Sequence, residues 1–117
     1  MRDQEATMEF AVRQEERGQI PVLRVRGEVD IYTAPRLKEA VVSALEGNAT
    51  SLAFDLSDVE FLDSTGLQVL MSAKKRTAER GGDVYLLGVA GQVRRVFSLL
   101  SLDRIFQLCR EADLPAA

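Results

Sequence analysis

Residues 51–67 read SLAFDLSDVEFLDSTGL. The first seven, SLAFDLS, are a short apolar run bounded by polar residues, the pattern of a strand buried in the middle of a sheet. DVEFLDSTGL then reads as a loop. Leu67, Leu70 and Met71 open an amphipathic helix with Met71 on its core side, which runs through SAKKRTAER to the paired glycines Gly81 and Gly82. Strand, loop and helix in that order are one step of a parallel α/β sheet.

The flanking chain fits the same plan. MEFAVRQEERGQIPVLRVRGEVD (residues 8–30) reads as a hairpin. Phe10 and Val12 alternate with polar neighbours, ERGQ supplies the turn, Leu23 and Val25 alternate with Arg24 and Arg26, and Gly27 ends the second strand. TAPRLKEAVVSALEG is a helix with Thr33 as N-cap, Pro35 in the first turn and Gly47 at C′. Leu37, Ala40, Val41, Ala44 and Leu45 form its buried face. Downstream, VYLLG is a buried strand. GQVRRVFSLLSL is a third helix with Val93, Val96, Phe97 and Leu100 on one side, and RIFQL offers a last short strand. The order is β-β-α-β-α-β-α with one further strand. It predicts a parallel sheet with right-handed crossovers after the opening hairpin.

The 117 residues fit one domain, with residues 1–7 and the tail EADLPAA (111–117) loose. Apolar residues make up 46% and charged residues 28%, a globular balance. The net charge of −3 lacks the basic excess of a general nucleic-acid binder. The charged N-terminus does not read as a signal peptide, and no apolar run is long enough to span a membrane. The lone Cys109 reads as a packed small apolar residue and allows no internal disulfide. A cytoplasmic protein, monomeric or weakly dimeric, is expected. There is no histidine, which excludes Ser-His-Asp and Cys-His nucleophile pairs and imidazole zinc sites. No metal or cofactor is expected.

The chemistry of interest lies at Asp63-Ser64-Thr65-Gly66. Asp, Ser and Thr are all good N-caps, and capping alone accounts for a Ser-Thr pair before a helix. Gly66 is less easily explained that way, because glycine inside a first turn costs up to about 1 kcal/mol relative to alanine. It suggests that another surface comes close. Between Lys38 and Lys74 there is no lysine or arginine, whereas Asp55, Asp58, Glu60 and Asp63 fall in the nine residues before Ser64. Loops leaving the carboxyl ends of parallel strands are the usual functional place in such sheets. An exposed serine at a helix N-terminus is a plausible phosphoacceptor, and a phosphate there would act on whatever binds this face.

GEVDIYTAPRLKEAV, LAFDLSDVEFLDSTGLQVL and GGDVYLLGVAGQVRRVFSLLSLDRIF together resemble the STAS domain, and within it the bacterial anti-sigma factor antagonists. The resemblance covers the chain from about Phe10 to Leu108. It implies an α/β STAS fold, a mixed four- to five-stranded sheet with helices packed mainly on one face. It also implies a partner switch. The unphosphorylated antagonist binds an anti-sigma factor that is also a serine kinase, freeing a sigma factor. The kinase, using its own ATP, phosphorylates a serine and the antagonist lets go; a serine phosphatase restores it. That serine maps onto Ser64, with Thr65 the second hydroxyl. Asp30 matches a family acid that lies beside the phosphorylation loop and helps partner binding, and Asp63 matches the motif aspartate that directly precedes the phosphoserine. The contact surface then joins the Asp30–Thr33 loop, the Asp58–Thr65 loop and the exposed side of the following helix, including Thr33, Gly66 and Gln68. Charge complementarity with the acidic stretch predicts a basic partner patch and association that slows at high salt.

Two other readings compete. A STAS scaffold or an accessory subunit of a stress-signalling or transport complex uses the same fold for other contacts. An enzyme would need a general base near Ser64, and only carboxylates are present there. Lys74 and Lys75 read as a solvated helix face that could fringe the contact surface. Arg94 and Arg95 read as solvated. No Gly-x-x-x-x-Gly-Lys loop for nucleotide is present.

Overall fold

The computed structural model describes residues 9–115. Residues 1–7, expected to be loose, and the last two residues of the tail lie outside the described residues. Five strands form one sheet in the order β1-β2-β3-β4-β5: β1 Ala11–Arg17, β2 Ile20–Val29, β3 Leu52–Leu62, β4 Val84–Leu87 and β5 Gln107–Cys109. β1 and β2 are an antiparallel hairpin closed by Gly18-Gln19. The other pairings are parallel. The intervening helices are α1 (Ala34–Ala44), α2 (Ser64–Glu79) and α3 (Gly91–Leu99). Short 3₁₀ turns at Leu102–Arg104 and Glu111–Asp113 flank β5.

Strand alternation sends every second side chain to the helices. Leu23 and Val25 of β2, Leu52, Phe54 and Leu56 of β3, and Val84 and Leu86 of β4 share one core with Leu37 and Val41 of α1, Leu67, Leu70 and Ala73 of α2, and Val93 and Phe97 of α3. The opposite face carries a smaller cluster, Ile20, Val22, Ala53 and Leu87, with Tyr85, Cys109 and Leu114 packed against it. All three helices therefore bury their apolar stripes on one side of the sheet. Cys109 is packed as its composition suggested.

Several boundaries move from the sequence reading. Gly27 does not end β2. It sits at φ +91° between shifts of register, so the strand bulges and continues to Val29. β3 swallows most of the expected loop and runs to Leu62, pairing Phe61 with Glu28 and Leu62 with Val29. Thr33 holds the N-cap position of α1 but makes no cap bond; its hydroxyl donates to the Glu28 carbonyl at 2.8 Å instead. α1 stops at Ala44 with Leu45 as C-cap, which puts Gly47 one residue beyond C′. α2 ends at Glu79, just before the paired glycines, as expected. Its buried stripe is Leu67, Leu70, Ala73 and Thr77, leaving Met71 on the outer side at 42% exposure. Leu100 is also outside. The chain turns at Ser101 (φ 56°), and Leu102 and Phe106 pack in its place, the Phe106 ring lying 5.8 Å from that of Phe97.

The open face is organised by Arg24. Its guanidinium donates to Glu15 (2.9 Å), Asp55 (3.0 Å) and Glu111 (2.7 and 2.9 Å), joining β1, β2, β3 and the segment after β5. Glu111, followed by Glu15 and Asp55, holds the Arg24 pKa well above the usual guanidinium value. Burial pushes the Asp55 carboxyl up, but the Ser57 hydroxyl and amide together with Arg24 outweigh it and hold it below the usual range. Arg17 also reaches Glu111, at 3.0 Å. The tail is thus tied at its first residue and is not loose from Glu111. Because removing Arg24 strands a partly buried Asp55, Arg24→Ala should cost about 1–3 kcal/mol. A thermal melt should fall by several degrees, and a melting temperature unchanged by the substitution would contradict this role.

Candidate functional site

The carboxyl ends of β2 and β3 lie side by side, and the Asp63 amide donates to the Val29 carbonyl at 3.2 Å. This brings the Asp30–Thr33 turn next to the start of α2. Beyond Asp55 β3 has no pairing with β4, and at its end a side chain takes a strand's place. Leu62 N–H donates to Gln92 Oε1 at 3.0 Å, and Gln92 Nε2 donates to the Leu62 carbonyl at 3.3 Å. Sequence reading missed Gln92, because nothing in GQVRRV marks a helix residue that reaches back to a strand thirty positions earlier.

Asp63 is the N-cap of α2. Its Oδ1 accepts the Thr65 amide (2.9 Å), the Gly66 amide (3.2 Å) and the Thr65 hydroxyl. The Leu67 amide closes the first turn on the Asp63 carbonyl at 3.0 Å. The Thr65 hydroxyl, then the Gly66 and Thr65 amides, hold the Asp63 carboxyl below the usual carboxylate range. The two adjacent hydroxyls therefore differ. Thr65 is half-buried and committed to Asp63. Ser64 is exposed, and its hydroxyl has no partner among the described residues.

Gly66 is buried, and a Cβ there would sit 2.7 Å from Val29 Cγ1 and 3.1 Å from Leu62. The glycine is required by the close approach of α2 to the ends of β2 and β3, as its position in the first turn suggested. It is a packing residue with no surface to offer a partner. Asp30 is likewise engaged within the chain. Its carboxylate accepts the amides of Tyr32 (2.9 Å) and Thr33 (3.1 Å), and its own amide donates to Thr33 Oγ1 (3.0 Å). Asp30 and Thr33 thus shape the turn that projects Ile31 and Tyr32, exposed by 64% and 86%.

The structure brings Asp30, Thr33, Asp63, Ser64, Thr65 and Gly66 together at one end of the sheet. Gln68 follows on the exposed side of α2. Asp58 is not brought there. It lies four strand residues before Leu62, about 13 Å away along the chain. It shares a shallow depression with Arg13, Arg24, Arg26 and Asp55. With Asp55 held by Arg24, two of the four acids before Ser64 belong to the Arg24 side of the sheet, and the expected acidic face is reduced by half. Exposed Ile31, Tyr32, Phe61 and Met71 instead give the region around Ser64 an apolar character. Helical spacing misjudged Met71, which stands just off the buried stripe of α2, and Phe61 lies near the end of β3 instead of in a loop. Lys74 turns away to Asp83 (2.8 Å) and the Phe106 ring, leaving the contact surface. Arg94 and Arg95 are exposed, as read.

A five-stranded mixed sheet, helices on one face and an exposed serine at the capped start of the second helix define a recognisable class. Residues 11–113 match the STAS domain, and the chain belongs to that family. It is 39% identical over 92 residues to the anti-sigma-F factor antagonist RsfB of Mycobacterium tuberculosis, covering 76% of this chain and 72% of that protein. It is 36% identical over 84 residues to an anti-sigma-B factor antagonist of Listeria monocytogenes, covering 72% and 74%. The crystal structure of an anti-sigma factor antagonist from Mycobacterium paratuberculosis superimposes with a TM-score of 0.77 at 31% identity, over 86% of this chain and 85% of that one.

The cap has a pH signature. A carboxyl whose pKa is lowered by folding stabilises the native state above its unfolded pKa of about 4 and loses that contribution as pH falls through the folded value. Asp63→Ala should cost about 1 kcal/mol at neutral pH. Asp63→Asn, which keeps an acceptor oxygen, should retain most of the neutral stability and flatten the acid limb of a stability-versus-pH curve. An acid limb identical to wild type in the Asn variant would refute the assignment.

Proposed function

We propose that this chain is an anti-sigma factor antagonist whose partner binding is switched off by phosphorylation of Ser64. The single observation that carries the reading is the contrast between two neighbouring hydroxyls: Thr65 is held by Asp63, and Ser64 is exposed at the first position of α2 with no partner for its oxygen among the described residues. A kinase needs a hydroxyl it can reach and reorient. The relatives are named as antagonists of anti-sigma factors, which supplies the kind of partner; in this reading the anti-sigma factor is also the serine kinase and binds its own ATP. Binding of the unphosphorylated antagonist releases a sigma factor in the bacterial cytoplasm. A serine phosphatase resets the switch.

The local chemistry supports binding and not turnover by this chain. The carboxylate nearest Ser64 is turned into its own helix, where it accepts three donors, and is poorly placed to take a proton from the serine. The exposed Tyr32, Ile31, Phe61 and Met71 are the residue types that anchor interfaces when a partner desolvates them. A phosphate on Ser64 adds about −1.5 to −2 charges. The positive end of α2 tolerates that charge, so the domain stays folded. The partner loses the surface, because bulk and charge now stand among its apolar contacts.

With the cognate anti-sigma kinase, phospho-Ser64 should bind at least about a hundredfold more weakly than the unmodified chain, a loss of about 3 kcal/mol. Ser64→Ala should bind and never be released by ATP. Calorimetry on stoichiometrically phosphorylated and Ser64→Ala protein reads both, and equal affinity of the phosphorylated and unmodified forms would sink the switch.

A further inference from the structure

The proposed contact surface does not end at Ser64. An open groove of about 300 Å³ runs between α1 and α2, beginning at Thr65. On the α2 wall Thr65, Gln68, Ser72 and Arg76 recur every three or four residues, so one face of the helix lines it for about 16 Å. Val41 and Val69, both nearly buried, form the floor. Lys38 on α1 and Arg76 on α2 stand on opposite walls.

Those two cations are exposed and have no ion-pair or hydrogen-bond partner among the described residues. The contrast with their neighbours is informative. Lys74, two residues before Arg76, is paired with Asp83, and Arg24 is saturated by three carboxylates. A chain of net charge −3 has thus left two positive groups on the walls of one groove with an apolar floor. The groove is open along its length and sits at the lower end of the volumes that enclose small ligands. That shape suits the side chains of a protein segment better than a free metabolite.

We infer that the α1–α2 groove is a second docking site for the same partner, occupied by an acidic segment that carries an apolar side chain. The apolar group rests on Val41 and Val69, and carboxylates meet Lys38 and Arg76, with Gln68 and Ser72 donating hydrogen bonds. The identity of the partner rests on the antagonist reading above. Release also gains a physical cause: a phosphate on Ser64, the residue before the groove's first, stands at its mouth and repels an acidic occupant.

Two arms test this separately from that reading. The first uses ¹⁵N-labelled protein and two probes, a Leu/Glu-rich dodecapeptide and its Leu/Lys counterpart. The acidic peptide should shift the amides of Val42, Gln68 and Ser72, and Lys38→Glu/Arg76→Glu should abolish those shifts. No groove shifts, or equal shifts with the basic peptide, would overturn the site. The second arm measures affinity for the cognate anti-sigma kinase. Lys38→Glu/Arg76→Glu should bind at least tenfold more weakly, whereas Arg94→Glu/Arg95→Glu, an equal charge change on α3, should bind as wild type. Undiminished binding by the groove variant, or an equal loss in both variants, would overturn the docking assignment. A wild-type chain that binds no anti-sigma factor would overturn the functional reading, with the peptide arm still deciding whether the groove takes acidic segments.

Discussion

One carboxylate oxygen on Asp63 gathers three donors from the first turn of α2, and the rest of the site depends on that arrangement. A helix N-terminus leaves its first amides without intrahelical partners. Here the residue that ends the β3 segment supplies one, so strand and helix meet with no intervening loop. The same bonds immobilise the Thr65 hydroxyl and leave Ser64, one residue away, directed outward. The turn is also fixed from below. Gly66 lets α2 approach Val29 and Leu62 to a distance that a methyl group would violate, and Gln92 holds the unpaired end of β3. Exposure of Ser64 is therefore a product of rigid surroundings and not of a loose loop.

The charges of the molecule are divided by the sheet. Arg24 draws Glu15, Asp55 and Glu111 onto the open face, and Asp58 lies beside them. Two of the four acids that precede Ser64 in sequence, Asp55 and Asp58, are thereby drawn away from it, while Asp63 stays as the cap. What surrounds the serine is apolar side chain on one side and a groove edged by Lys38 and Arg76 on the other. The salt dependence expected from an acidic face consequently weakens as an argument, and recognition shifts toward buried apolar anchors with a few specific charge contacts.

Much of this was legible in the sequence. The alternation of β1 and β2, the buried run from Leu52 and the stripes of α1 and α2 give the order of elements, and the family resemblance implies the side on which the helices lie. Asp63, Ser64 and Thr65 stand out as cap and hydroxyls from their types alone, and Gly66 correctly signals a close approach. The rest depends on tertiary geometry that local pattern does not carry. Gly27 reads as a strand end until a bulge uses its positive φ. DVEFL reads as loop because its polar residues face outward on a strand paired on one edge. Asp58 was placed by sequence distance, and a register shift turned it to Arg26 and Arg24. Leu100 follows the helical period, but the helix has already ended. The resemblance already pointed to Ser64; what no spacing reveals is the bond from Thr65 to Asp63 that sets the two hydroxyls apart.

The central claim is that capping commits one hydroxyl and frees the other. Phosphosite mapping tests it most directly. Wild-type protein is incubated with the cognate anti-sigma kinase and Mg-ATP, and the peptide spanning residues 61–74 is sequenced by tandem mass spectrometry. A single phosphate on Ser64, absent in Ser64→Ala and retained in Thr65→Val, is the result this account predicts. Phosphate on Thr65 of the wild-type chain would contradict it.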